Sequence, residues 1–143
     1  MGAIRVSQPL LLDTCAIIWM SENEWLSEEA VEELDRASDR GAPVRLSAIS
    51  AWEIGMFASK ERLAFPLPPL VWFNRFLHGG SFLLCDLSPD ILVDSSFLPG
   101  TPPSDPIDRI IIGTARQHDL TVVTRDRKIL EYGDAGHVGV LRC

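Results

Sequence analysis

Four acidic side chains, Asp13, Glu53, Asp108 and Asp126, recur in comparable settings along the 143-residue chain. Asp13 follows Leu10, Leu11 and Leu12, which read as a short strand buried on both faces. Asp126 stands in the same position behind Leu120-Thr121-Val122-Val123-Thr124. Glu53 falls in the second turn of a helix capped by Ser47, among Ile49, Trp52, Ile54 and Met56. Asp108 falls in the first turn of a helix opened by Asp105 and Pro106. Taken singly, Asp13 is accounted for as a helix N-cap and Glu53 as a solvated helix residue. Taken together they pose a different problem. Strand ends and helix starts share one rim of a parallel α/β fold, where ligands bind. Carboxylates gathered there without cations repel and desolvate one another. Such a cluster persists most readily around hard divalent cations, and its oxygen donors suit Mg²⁺ or Mn²⁺. The three histidines, His78, His118 and His137, are too widely spread to offer a zinc site. The chemistry most dependent on such a cluster is phosphodiester hydrolysis. One metal lowers the pKa of bound water and a second stabilises the leaving oxygen.

The elements that must position these acids alternate regularly. A helix follows Asp13 through Met20, and Ser27 caps another reaching about Asp39, with Leu26, Ala30, Val31 and Leu34 as its apolar stripe and Gly41 as its stop. Pro43–Leu46 is a strand, and Ser47 caps a helix over Ala48–Lys60. Phe65–Pro69 is a rigid connector before a short helix through Leu77, which Gly79 and Gly80 end. Phe82–Leu87 is the third strand, Ser88 and Pro89 open the next helix, and Pro99–Ser104 is a proline-rich loop. Val138–Leu141 closes the series as an edge strand. The order β-α-α-β-α-α-β-α-α-β-α-β predicts a single domain over residues 1–143, a three-layer α/β/α sandwich with a mainly parallel central sheet.

Composition narrows the setting. A hydrophobic fraction of 46% with 23% charged residues is ordinary for a globular chain, and no apolar run approaches a membrane span. Met1–Val6 lacks the apolar stretch of a signal peptide. Cys15, Cys85 and Cys143 are an odd, scattered set without metal spacing, which points to a reduced, cytoplasmic protein. The net charge of −7 argues against a nucleic-acid partner until its distribution is considered. Residues 22–40 hold eight acids against Arg36 and Arg40 and so carry −6 of it on one acidic, solvated helix. Residues 105–128 hold Arg109, Arg116, Arg125, Arg127 and Lys128, basic groups able to bind phosphates once the nearby acids are neutralised.

Four segments carry a family resemblance: Leu11–Thr14, Leu46–Ile54, Asp105–Arg109 and Val123–Asp126. In order and spacing they resemble the signature blocks of PIN-domain ribonucleases, and more narrowly those of the VapC toxins of bacterial toxin–antitoxin pairs. Any one block is weak evidence; the four together span almost the whole chain. The resemblance implies a PIN-like fold and a Mg²⁺- or Mn²⁺-dependent endoribonuclease, usually a homodimer, held inactive by a VapB-type antitoxin. By position, Asp13, Glu53, Asp108 and Asp126 match the family's acidic quartet, and Asp105 matches an additional acid. Asp105 ranks below Asp108 because capping already explains it. Ser47 and Thr124 match small polar residues that support the acids, and each is equally accounted for as a helix cap or a strand terminus. The resemblance also implies an antitoxin groove along the helices bearing Trp52 and Phe57, within an aromatic set that includes Trp19, Trp25, Trp72 and Phe73.

Three rivals remain. A phosphoacceptor signalling domain also gathers aspartates around Mg²⁺. It would need an acceptor on a middle strand, for which Asp86 is poorly placed, and a lysine near the last strand's end, whereas Lys128 lies beyond Asp126. A catalytically silent PIN-fold binding partner would not need complete acidic blocks. A nuclease acting on DNA or on structured flaps would carry the same acids.

Overall fold

Five strands and seven helices follow one another in the order the hydrophobic pattern predicts, in a computed structural model that describes residues 8–22 and 26–143. The readings made on Met1–Val6, Glu24 and Trp25 lie outside the described residues. The strands are β1 (Leu10–Leu12), β2 (Arg45–Ser47), β3 (Leu83–Cys85), β4 (Thr121–Thr124) and β5 (Gly139–Arg142). The helices are α1 (Thr14–Ser21), α2 (Glu28–Asp39), α3 (Ala48–Ser59), α4 (Pro69–Gly79), α5 (Pro89–Asp94), α6 (Pro106–His118) and α7 (Arg127–Asp134). Every strand pair is parallel, and the sheet order is β3-β2-β1-β4-β5.

That order fixes the layers. The chain steps outward from β1 to β2 and β3, then crosses back to β4 and on to β5, so right-handed crossovers place helices on both faces. The side chains of β1 show the result. Leu10 and Leu12 pack with Ala16, Ile17, Ile54 and Phe73 on one face, while Leu11 packs with Ile111, Ile112 and Ile129 on the other. All three leucines are buried, which is why this strand reads as an unbroken apolar run.

Local signals set the ends. Ser27 caps α2 by accepting from Ala30 N, and Gly41, at φ +65°, ends it. Ala42 N donates back to Ala37 O in the pattern that a left-handed residue permits. Three expectations need correction. Val31 is exposed rather than part of the α2 stripe, because Ala30 and Ala37 make the inward contact. β3 is an edge strand, so Leu83 and Leu84 are exposed and Asp86 follows an edge strand rather than a middle one. Pro69 belongs to α4, as its first residue, rather than to the connector. Among the described residues no helix is long and apolar enough to cross a membrane.

Ile111 is fully buried on the inner face of α6, so Ile111→Ala should lower unfolding free energy by about 3 kcal/mol, measured by urea denaturation with an unchanged m-value.

Candidate active site

The strand order reverses between β1 and β4, the switch point at which ligands bind in open parallel sheets. The residues just beyond the carboxyl ends of these two strands are Asp13 and Arg125-Asp126, and Asp13 N donates to Val123 O at 3.0 Å across the pair. Asp13 both ends its strand and caps the following helix. Its Oδ1 accepts from Thr14 N at 2.7 Å. Its Oδ2 accepts from Thr124 Oγ1 at 2.7 Å and from Cys15 Sγ at 3.1 Å. At 5% exposure this carboxyl is buried, and burial outweighs these three donors and pushes its pKa up.

Asp126 caps α7, with Oδ1 accepting from Lys128 N and Ile129 N, and its own N–H donates to Thr124 Oγ1 at 2.9 Å. Thr124 is thus more than a strand terminus, since its single hydroxyl joins Asp13 to Asp126. Asp105 caps α6 as expected, with Oδ1 accepting from Ile107 N and Asp108 N. Ser47 is fully buried and caps α3 through Ile49 N, the structural role its sequence position allows.

Asp13, Glu53, Asp105 and Asp126 all lie within electrostatic reach of Asp108. Burial raises the Glu53 pKa, Asp13 and Asp105 push it further, and the Thr14 side chain opposes them. Asp108 is pushed up to about 8, first by burial and then by Asp126, Asp105, Asp13 and Glu53. The ion pairs among the described residues join Arg36 to Glu32 and Glu33, and Arg127 to Glu131, so none includes one of the five acids. An all-carboxylate set short of positive charge has the donor chemistry for a hard divalent cation. As the side chains stand, no three acidic, imidazole or thiol groups among the described residues are close enough to enclose an ion.

The expected basic groups divide. Arg109 is the fourth residue of α6, and its Nη1 donates to Ser95 O at 3.4 Å. The Arg125 guanidinium lies 4.1 Å over the Trp19 ring, with Nε donating to Cys143 O. Lys128 and Arg127 are exposed beside Asp126. Arg116 is not on this rim. It sits in the last turn of α6, donates to His137 O, and lines a cleft of about 630 Å³ with Gln8, Leu120 and Gly139 at the amino ends of the strands. The aromatics divide as well, since Phe73 is buried while Trp52 is 58% exposed. Two further residues have no counterpart among the sequence-predicted positions. The hydroxyls of Thr14 and Ser50, both buried, lie 2.8 Å apart beside Glu53. The available signal was the three-residue step from Ser50 to Glu53, which puts both on one helix face.

A parallel α/β sandwich with acidic side chains around the sheet's switch point is an arrangement found in hydrolases. The chain belongs to the PIN domain family, whose model matches residues 10–135. It is 30% identical over 121 residues to ribonuclease VapC22 of Mycobacterium tuberculosis, covering 84% of this chain and 88% of that protein. Among solved structures, it superposes on a chain of the FitAcB complex from Neisseria gonorrhoeae with a TM-score of 0.58 at 26% identity, over 92% of this chain and 96% of that one. DNA-bound VapBC from Salmonella typhimurium shares the fold, with a TM-score of 0.63 at 22% identity, over 94% and 98% of the two chains.

The shifted Asp108 fixes a pH dependence. Its folded-state pKa of about 8 lies above the ordinary 3.8, so the folded protein holds this proton more tightly than the unfolded chain. Its contribution favours folding fully below about pH 4 and is lost as pH rises through 8. Asp108→Asn removes that loss. In EDTA at pH 8.5 the variant should melt above wild type by roughly 4 °C, the shift that about 1 kcal/mol makes in a domain of this size, and the gap should close towards pH 4. Equal melting at pH 8.5 would contradict the crowding of these acids.

Proposed function

We propose that this protein is a Mg²⁺- or Mn²⁺-dependent endoribonuclease that acts in the cytoplasm as the toxin of a VapBC-type toxin–antitoxin pair. The observation that carries the reading is that Asp126, Asp105, Asp13 and Glu53 all act electrostatically on the half-buried Asp108, with no ion-pair partner for any of the five among the described residues. Membership of the PIN domain family and the likeness to ribonuclease VapC22 support hydrolysis of RNA over other phosphodiester substrates. They favour an active nuclease over a silent binding partner too, since the acidic blocks are complete.

In this reading Asp13, Glu53, Asp108 and Asp126 hold the cation, and Asp105 adds charge at the edge of the set. The bound cation supplies Lewis acidity at the scissile phosphate and a hydroxide-forming site at neutral pH. The chain's own part is placement. Thr124 sets Asp13 and Asp126 in a fixed relation, and the cap bonds on Oδ1 hold the Asp126 and Asp105 carboxyls in one orientation each. Lys128, exposed two residues beyond Asp126, is a phosphate contact for the RNA strand.

The antitoxin is assigned to the outer face of α3, where Ala51, Trp52, Gly55, Met56 and Ser59 line a cleft of about 380 Å³. An apolar side chain of a partner helix fits such a cleft, with Trp52 as its anchor. Complexes named VapBC, FitAcB and toxin–antitoxin among the structural neighbours support a protein partner. Self-association as a homodimer has a separate apolar surface available in Leu92, Val93 and Phe97.

Purified protein free of antitoxin should cut RNA with Mg²⁺ or Mn²⁺ and stop with EDTA. Asp13→Asn and Asp126→Asn should each reduce the rate by more than the roughly 100-fold at which loss of a ligand's own hydrogen-bonding partner tops out. Unchanged rates in both folded variants would sink the assignment. For the partner, Trp52→Ala should weaken antitoxin binding by about 2 kcal/mol in calorimetry, as loss of an aromatic anchor does. Wild-type affinity in that variant would place the antitoxin elsewhere.

A further inference from the structure

The first turn of α6 holds Asp108 and is capped by Asp105, yet it is the least packed part of that helix. The buried residues of α6 run from Ile111 to Ala115, beyond that turn, whereas residues 106–110 are exposed or half-buried. Arg109 gives the turn one side-chain tie, to Ser95 O. The placing of the two acids therefore depends on the loop that leads into the helix. That loop is gripped at Pro99 and Gly100. Pro99 O accepts from the hydroxyl of Tyr132, a buried residue in the second turn of α7. The Tyr132 ring stacks on His137, with centroids 4.8 Å apart. His137 in turn closes over Gly100, where φ is +69° and an added Cβ would run into Nε2. Arg116, in the last turn of α6, donates to His137 O and ties the far end of the same helix to this grip.

From Gly100 to Asp105 the chain runs Thr101-Pro102-Pro103-Ser104. Each proline fixes its own φ and restricts the residue before it, so residues 101–103 form a stiff strut. Pro103 is buried, which holds the strut against the body of the protein. We propose that Tyr132 and His137 are positioning residues, clamping Pro99 and Gly100 so that the proline strut fixes the acidic first turn of α6 on the rim. Asp126 caps α7 six residues before Tyr132. The helix that presents one acid of the rim at its start thus also sets, from its second turn, the approach of two more. This inference rests on the reading of Asp108 as one of the groups that hold the cation.

Mn²⁺ binding, followed by the electron paramagnetic resonance of the free ion, tests the clamp without reliance on turnover. Tyr132→Phe removes the hydroxyl and keeps the ring. It should weaken Mn²⁺ binding by roughly tenfold, the low end for a group that orients a ligand without touching the ion. Pro102→Gly leaves the clamp in place, loosens the strut, and should cost about as much. The double variant should lose about the same tenfold and not the product, because both changes break one connection. His137→Phe, which keeps a ring over Gly100, should bind as wild type does, whereas His137→Ala should behave as Tyr132→Phe. A role in packing alone would lower Tm and leave Mn²⁺ affinity unchanged; that outcome in Tyr132→Phe, or losses that multiply in the double variant, overturns the clamp. Should His137→Ala fail to fold, Tyr132→Phe and Pro102→Gly decide the question in its place. Asp108→Asn separates the two levels. Wild-type Mn²⁺ affinity in Asp108→Asn removes the metal reading of Asp108 itself, whereas a loss there beside wild-type affinity in Tyr132→Phe removes only the clamp.

Discussion

Two hydrogen bonds meeting on one oxygen organise the rim. Thr124 Oγ1 donates to Asp13 Oδ2 and accepts from Asp126 N, so the hydroxyl that ends β4 reaches the acid that ends β1 and the acid that opens α7. A buried carboxyl needs donors or a cation. Asp13 takes its donors from three different places: its own helix start, the thiol of Cys15, and Thr124 on the neighbouring strand. Thr124 is the long-range donor among them, and its geometry exists only because β1 and β4 are adjacent.

The remaining acids are tolerated for a related reason. Asp13, Ser47, Asp105 and Asp126 are N-caps of α1, α3, α6 and α7, so four helix starts face the same region. Each helix start carries about half a positive charge in its unpaired N–H groups. These partial charges offset part of the repulsion, and no ion pair among the described residues includes one of the five acids. They do not offset all of it, and Asp108, in the first turn of α6, has its pKa raised first by burial and then by the neighbouring acids. The cluster is therefore stable enough to fold and still short of positive charge, the condition under which a divalent cation gains most.

Much of this was legible from the sequence because the decisive signals are local. Three leucines before Asp13, Asp-Pro before Ile107-Asp108, and Val-Val-Thr before Arg125-Asp126 each encode an element and its end within a few residues. The order of elements, the two-sided sheet and the convergence of the acids follow from alternation and from the rule that strand ends and helix starts share a rim. What failed was whatever depended on neighbours in the sheet. Leu83 and Leu84 are as apolar as Leu10 and Leu11, yet they are exposed, because β3 has a partner on one side only. Arg116 reads as one more cation of the acidic block, but α6 carries it two turns beyond Arg109 to the opposite end of the sheet. The Thr14–Ser50 pair joins positions 36 residues apart, and no local pattern marks a contact of that span.

The 111-residue separation between Asp13 and Thr124 also bears on when, during synthesis, the acidic rim can form. A ribosome releases β1, β2 and β3 first, and a partial sheet of these strands lacks both Thr124 and Asp126. Only the insertion of β4 beside β1, near the end of synthesis, completes the rim. Non-local pairings of this kind form late, because the entropy of closing a long loop precedes the reward of its contacts. Until β4 has emerged from the ribosome, the rim lacks the residues that hold Asp13 from the neighbouring strand. An unfinished or clipped chain that stops before β4 lacks both Thr124 and Asp126 for the same reason.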